Sequence, residues 1–554
     1  MPQQESVRPL ERGLAVLRAM SWPGKESARP GDLVRATGLA RSTVDRVIAT
    51  LDRLGHVRFD GQEAVLAPRL MELGNAYLSA SGLPDALGAQ AEALADHFDE
   101  SVSLAVPDGD GVRFIVQATR RRTMALAFRI GDLLPAERCA PGALFAARWD
   151  ADQWAAWRRR RAADPHDEGF SAVPARAVPG TEEEFTRRAE AASEDGWSLD
   201  DQLIEPGLVA VAVPVRGLDG RTACALSAVS HTSRHSARDL ARTVLPRLRE
   251  AAATMESTLA ARAVDVNHAH GAGDADAAGS GADPARSAKS ELGAGFLQSL
   301  ARGLTVLRAL GEAPPGQGMS LSAVAEATGL ARATARRALL TLEELGYAEC
   351  SDHLFRPLPR VLELGYAHLT GLSFADIAQP HLRGLVAKVH ESASVTVLDG
   401  TDILYVARVP TIRIMSISIT LGTRFPAYAT AMGRVLLAGL PEAERAHVLE
   451  RAEPRAFTEH TVTSVPRLAR IVEETARAGY AAIDQELEEG LRSVAVPLRD
   501  AGGRVVAALN VAQHSGSEPL ETTRDALLPA LRETAAAVEA DLRIAARHHR
   551  VRVP

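Results

Sequence analysis

Arg424 and Arg434 bracket a run of small residues in the stretch LGTRFPAYATAMGRVLLAGL, residues 421–440. Those types at that spacing suit the capture of an anion. Pro426 disfavours helical backbone at Phe425, so a helix begins after it. Its first turn, Ala431-Met432-Gly433, has small or flexible side chains that leave the leading backbone N–H groups open to a carboxylate. Arg424 and Arg434 add the means for charge-assisted hydrogen bonds. The plainer alternative is a Gly/Ala-rich turn ahead of a core helix.

A second chemistry lies nearer the N-terminus. Arg41, Ser42, Thr43 and Arg46 stand at the start of a helix whose apolar positions are Val44, Val47, Ile48, Leu51 and Leu54. Arg332, Thr334, Arg336 and Arg337 stand at the start of a matching one. Such side chains donate to phosphates and base edges. Asp45 occupies the place of Arg336, so the two helices need not read the same half-site. Ser42 with Asp45 three residues on has the pattern of a capping box.

Each basic helix is third in a set. Helical periodicity covers 7–20, a second helix covers 31–37, and the third runs from 42. Two extended pieces, 56–59 and 63–66, are joined by Asp60-Gly61, a hairpin signal. The second set covers 296–310, 321–328 and 333–345, with a wing over 347–356. Three helices and a hairpin make a winged helix-turn-helix, whose third helix enters the DNA major groove.

The whole chain is a tandem duplication. Thr37-Gly-Leu-Ala-Arg41 recurs 291 residues on as Thr328-Gly-Leu-Ala-Arg332, and PRLMELG from Pro68 recurs as PRVLELG from Pro359. Gly131, Pro135 and Gly142 match Gly422, Pro426 and Gly433 at the same offset. Asp201-Gln202 recurs as Asp484-Gln485. After each wing the pattern predicts linking helices, then strands over 101–106 and 112–117 in copy one. In copy two strands are expected over 394–398, 403–408, 412–420, 492–498 and 504–513, with helices over 442–451 and 466–478. The fold class is therefore α+β, two copies of a winged helix-turn-helix plus an α/β sensor domain with a pocket at the sheet's rim. The expected boundaries are 1–67 and 68–263 for copy one, and 294–358 and 359–548 for copy two. Residues 264–293, rich in Gly, Ala and Asp, form a flexible linker spanning roughly 30 Å.

Composition narrows the classes. A net charge of −7 places any nucleic-acid contact in local patches. Cys139, Cys224 and Cys350 are far apart, which fits neither a zinc site nor a disulfide framework and suits a reducing cytoplasm. No metal and no cofactor are called for. No apolar run reaches the length of a membrane span, and the first residues lack a signal-peptide core. There is no nucleophile elbow, phosphate-binding Gly loop or HExxH pair, so no catalytic residue is assigned; His460 and His514 are isolated.

The chain resembles two fused IclR-type transcriptional regulators. In copy two, residues 421–440 together with IDQELEEGLRSVAVPLRD and GGRVVAALNVAQHSG are similar to the subgroup controlling aromatic-acid catabolism through the β-ketoadipate pathway. The resemblance implies a duplex operator as partner, a small carboxylate effector, and action as dimers or tetramers, here as a homodimer or an intramolecular pseudo-dimer. It implies an effector pocket from Ala431, Met432 and Gly433, Asp484 to Glu486, Ser493 and Asn510, to which Arg424 adds charge. Asp484 and Glu486 would repel an anion unless they bind its hydroxyls or pair with an arginine. Copy one departs: Leu133, Ala143 and Val209 replace Arg424, Arg434 and Arg492, while Glu137, Leu203, Ala210 and Ser227 replace Tyr428, Glu486, Ser493 and Asn510. Its sensor is expected to bind a less anionic ligand or none. The competing readings are an enzyme and a metabolite-binding adaptor whose DNA-binding modules have decayed.

Overall fold

A computed structural model describes residues 7–22, 27–120, 128–270, 295–411, 419–516 and 518–551, with backbone alone over 264–270. The chain divides into two units, Met1–Gly371 and Leu372–Pro554. Most of the strand expected over 412–420 and of the linker expected over 264–293 lies outside the described residues.

The first unit opens with α1 (Arg8–Met20), α2 (Pro30–Thr37) and α3 (Arg41–Arg53), then a hairpin of β1 (Val57–Asp60) and β2 (Glu63–Leu66). Leu14, Leu17, Leu33, Val44, Ile48 and Leu51 close the core. α2 ends where Gly38 turns left-handed at φ 68°, a position that favours glycine. α4 (Met71–Ser81) and α5 (Leu83–Phe98) lead into a sensor domain. This contains β3 (Ser101–Asp108), β4 (Gly111–Ala118), β5 (Leu133–Pro135), α6 (Ala140–Ala146), α7 (Ala151–Ala163) and α8 (Glu182–Asp195), followed by β6 (Ser198–Asp201), β7 (Leu208–Arg216), β8 (Thr222–His231) and α9 (Ala237–His270). The antiparallel sheet runs β5-β4-β3-β8-β7-β6, with α6 across β6, β7 and β8 and with α5 and α9 against β4 and β7. α9 continues seven residues past 263, because nothing in AVDVNHAH breaks a helix before Gly271.

The same unit holds the second winged helix: α10 (Gln298–Ala309), β9 (Met319–Ser320), α11 (Leu321–Thr328), α12 (Arg332–Glu344), β10 (Ala348–Ser351), β11 (Leu354–Pro357) and α13 (Tyr366–Leu369). Here β9 joins the wing as a third strand.

The two winged helices pack on each other through reciprocal contacts. Val7 N–H donates to Thr341 Oγ1 at 2.9 Å, and Leu297 N–H donates to Thr50 Oγ1 at 3.0 Å. A Cβ on Gly13 would lie 2.3 Å from Leu300, and one on Gly303 would lie 2.5 Å from Leu10. Arg308 pairs with Glu72 at 3.2 Å, and Arg18 approaches Glu363 at 3.9 Å. Each contact recurs with the copies exchanged, so a pseudo-twofold axis relates the two modules.

The second unit is the sensor domain of copy two. It comprises α14 (Phe374–Val389), β12 (Ser392–Asp399), β13 (Asp402–Val409), β14 (Arg424–Pro426), α15 (Ala431–Ala438), α16 (Glu442–Arg451), α17 (Val465–Ala478), β15 (Ala481–Asp484), β16 (Leu491–Arg499), β17 (Val505–His514) and α18 (Leu520–Ala545). Its sheet runs β14-β13-β12-β17-β16-β15, the same order as in copy one. α15 crosses β12, β16 and β17, and Ala431, Met432 and Val435 share one buried cluster with Ala495, Ala508 and Ile483.

Candidate functional site

α3 and α12 begin after Ala40 and Ala331, and no side chain caps either helix. Asp45 does not form the expected capping box. The helix starts at Arg41, one residue earlier than expected, so Ser42 lies inside its first turn and cannot cap it. The Asp45 carboxylate pairs instead with Arg41 at 3.2 Å, one helical turn away. Arg41, Ser42, Arg46, Arg332, Arg336 and Arg337 are exposed, while Thr43 and Thr334 are half-buried. Each helix is held from below by its buried threonine. Thr50 Oγ1 donates to Arg46 O and Thr341 Oγ1 donates to Arg337 O, both at 2.8 Å, while each accepts the N–H of the other copy.

In the second sensor domain, sheet register decides which side chains face α15. Ala495 pairs with Asn510, Asn510 with Ser394, and Ser394 with Arg408. Paired residues share a face. Because Ala495 belongs to the cluster under α15, the row Arg408–Ser394–Asn510 lies beneath that helix as well. Ser493, Thr396 and Ser392 occupy the same face in adjoining rows. Ser392, Ser394, Thr396, Ser493 and Asn510 are all buried. Two of their atoms, Thr396 Oγ1 and Asn510 Oδ1, have no hydrogen-bond partner among the described residues. A buried polar atom left unpaired costs about 1–3 kcal/mol, so these two atoms mark where a polar ligand gains most. Burial holds the half-buried Arg408 guanidinium below the ordinary arginine range, opposed by the nearby Tyr405.

The α15 corner is tight. A Cβ on Gly433 would sit 2.1 Å from Ala427 O, which requires glycine there. One of the three donors expected to be open is occupied, since Thr430 Oγ1 accepts Gly433 N–H at 3.0 Å. Arg434 is 3% exposed and turns to Glu486, with Nη2 2.5 Å from Oε2. Arg492 grips Asp484 at 2.8 and 2.9 Å. The two carboxylates are thus neutralised by arginine, the condition under which they tolerate an anion nearby. Arg424 is not brought to this face: it lies on the edge strand β14, half exposed, paired with Asp399 and Asp402. Ala431, Met432 and Gly433 form the first turn of α15, and Ser493 and Asn510 lie on the sheet face beneath it; Asp484 and Glu486 act as partners of arginines. Arg408, Ser394 and Thr396 were missed. The alternating hydroxyls of Ser392, Ser394 and Thr396 in an otherwise apolar strand were the available signal.

The equivalent row in copy one is Gln117–Ser103–Ser227. Ser103 Oγ and Ser227 Oγ satisfy each other at 3.1 Å, and Ala105 and Ala210 stand for Thr396 and Ser493. The row carries no charge. Its corner is filled with ions instead: Glu137 Oε2 accepts from Trp157 Nε1 at 3.0 Å and Arg160 Nη2 at 2.7 Å, and Arg160 also reaches Asp167 and Asp110. Burial pushes the Asp200 carboxyl up to about 7.

The family model described as "Bacterial transcriptional regulator IclR C-terminal" matches residues 75–257 and 366–540, well over half the chain, and the IclR helix-turn-helix model matches 9–61 and 299–351. The chain belongs to the IclR family. Among its relatives is the Pca regulon regulatory protein of Pseudomonas putida, 40% identical over 237 residues, covering 43% of this chain and 81% of that protein. The p-hydroxybenzoate hydroxylase transcriptional activator of Acinetobacter baylyi is 33% identical over 245 residues, covering 43% of this chain and 90% of that one. A solved transcriptional regulator from Rhodococcus sp. RHA1 is 50% identical, covering 46% of this chain and all of its own, with a TM-score of 0.43. As an IclR protein with both regions duplicated, the chain is a DNA-binding transcriptional regulator with two winged helices and two effector-domain folds.

Proposed function

We propose that the chain is a ligand-responsive regulator of aromatic-compound catabolism. Its winged helices bind duplex DNA, and its second sensor domain binds a small aromatic or dicarboxylic acid. The carrying observation is the row under α15: one arginine, Arg408, beside Ser394 and an Asn510 whose Oδ1 has no partner among the described residues. A hydroxylated aromatic acid has both matching groups, a carboxylate for Arg408 and a hydroxyl to donate to Asn510, while a dicarboxylate supplies the first alone. The names of the two curated relatives, a Pca regulon regulator and an activator of p-hydroxybenzoate hydroxylase, support the same substrate class.

Ala431, Met432, Gly433, Ser493 and Asn510 form the pocket in this reading, with Arg408, Ser394 and Thr396 added. Asp484 and Glu486 set its walls through their arginines, and Arg424 stays outside it. The domains run 1–67, 68–270, 294–358 and 359–548, the closing helix α9 carrying the second past the expected 263, and the protein works in the cytoplasm, where its DNA is. Copy one's uncharged row and ion-filled corner make its sensor a poor acceptor of acids. No catalytic step is assigned, in keeping with relatives that are transcriptional regulators. Ligand binding shifts the DNA-binding equilibrium only by its differential affinity for the two states.

The test is fluorescence anisotropy of the full chain on its own upstream DNA, at two salt concentrations, with and without p-hydroxybenzoate, benzoate and a six-carbon dicarboxylate. Salt-sensitive binding altered by one acid is the expected result. Binding indifferent to every acid would discard the pocket.

A further inference from the structure

The two recognition helices are tied to each other inside one chain, yet they differ in chemistry. Each is held through its threonine by the residue directly ahead of the first helix of the other copy, so the pair is a single body under a pseudo-twofold axis. Some contacts across that axis are reciprocal and fit any pairing of the copies. The contact of Tyr366 is not. Tyr366 is 1% exposed, its ring would meet a Cβ on Gly74 at 2.1 Å, and its hydroxyl donates to Asn75 Oδ1 at 2.8 Å. Asn75 and Tyr366 are equivalent positions, 291 residues apart. Pairing copy one with itself would set asparagine against asparagine and leave the space over Gly74 empty. Pairing copy two with itself would set two tyrosines into room for one. The packing therefore selects one of each copy.

The surfaces presented to DNA are unequal. The first turns of α3 expose Arg41 and Arg46 with Asp45 between them, and Asp45 holds Arg41 in an ion pair. The same turns of α12 expose Arg332, Arg336 and Arg337 with no acidic residue among them. An aspartate in the major groove accepts from the cytosine amino group and repels phosphate, whereas an arginine prefers the guanine edge.

We infer that a single chain occupies a single operator, and that the operator is asymmetric. One half-site is read by α3 with Asp45 as a discriminating residue, and the other is read by α12 with Arg336 in the equivalent place. This rests on the DNA-binding reading above and specifies its target. A homodimer of equal subunits selects a palindrome, because its symmetry is copied into the DNA. This chain has no such symmetry at the reading surface. The guanine-favouring half under α12 supplies more of the salt-dependent attraction, with three exposed arginines against two and an aspartate.

The experiment is selection by the full chain from duplexes with a randomised centre of about 30 base pairs, roughly three helical turns. It is followed by the mass of the complex and by anisotropy on the selected duplex and on two derived palindromes, left–left and right–right. The expected result is one chain per duplex, two dissimilar half-sites, and roughly ten-fold or greater weakening on at least one palindrome. Asp45→Arg, an exposed change, should select halves more alike than the wild type does. A palindromic selected site, or two chains on one duplex each using the same copy, would overturn the inference while leaving DNA reading intact. No sequence preference at all would overturn the DNA-reading function and the inference with it.

Discussion

Arg408→Gln installs in copy two the residue that copy one carries at the equivalent position, Gln117. The register puts Arg408 one strand from Ser394 and two strands from Asn510, so the three side chains span ~10 Å of sheet beneath α15. Glutamine keeps a donor and removes the charge. A hydrogen bond to a charged group contributes about 1.5–3 kcal/mol. At ~1.4 kcal/mol per decade the acid should bind roughly ten- to a hundred-fold more weakly. The neutral amide of the same acid never gained from the charge and should change little. The assay is isothermal titration of the full chain with p-hydroxybenzoate and p-hydroxybenzamide. Wild type should prefer the acid, and the variant should bind both alike. Arg424→Ala, on the exposed β14 edge, is the control and should leave the acid's affinity unaltered. If Arg408→Gln shifts acid affinity by less than about three-fold while Arg424→Ala abolishes it, the assignment of charge to the row under α15 is wrong.

Other consequences follow from the same contacts. Arg434→Ala strands the buried Glu486 carboxylate and should cost about 3–5 kcal/mol, whereas Arg434→Met with Glu486→Leu should recover most of it; urea-dependent hydrogen exchange of α15 reads both. Gly303→Val drives a side chain into Leu10 and should loosen the paired winged helices by about 1–3 kcal/mol, seen as faster exchange in α1 and α10 and weaker DNA binding. His56 is buried, and burial, with Arg69 and Arg308 adding to it, lowers its pKa from 6.5 to about 4. The unfolded chain therefore takes up the proton first, and stability present above pH 6.5 declines as pH falls towards 4. The loss by pH 5 should be of the order of 2 kcal/mol, and His56→Gln should flatten it.

The duplication, both winged helices and the long strands of the second sheet were legible because they rest on short-range signals; the order in which the strands pair was not. TGLAR recurs with glycine at the left-handed turn, and hydrophobic periodicity marks each helix. Some local readings met tertiary or neighbouring partners that the sequence did not show. Asp45 looked like a cap and pairs with Arg41. Arg424 looked like an anion ligand because it is five residues before Ala429 in the chain, but the turn into α15 leaves it on the sheet edge with Asp399 and Asp402. Arg408 went unread because its place depends on the bulge between Val395 and Thr396, which brings Tyr405 and Arg408 to one face although an ideal strand would separate them. Asn510 and Ser493 were legible only through the family resemblance. The pairing of Tyr366 with Asn75 joins residues 291 apart and had no local signature.

That tyrosine–asparagine contact bears on how such a protein can change. In an assembly of identical subunits every substitution arrives twice, and both faces of the axis must accept it together. Here each side of the axis is encoded separately. A tyrosine can settle into the hollow over Gly74 without a second tyrosine colliding with it, and one recognition helix can acquire an arginine while the other keeps its aspartate. The fused chain can therefore drift towards a new DNA target one half at a time, with the unaltered half holding it on the old site meanwhile.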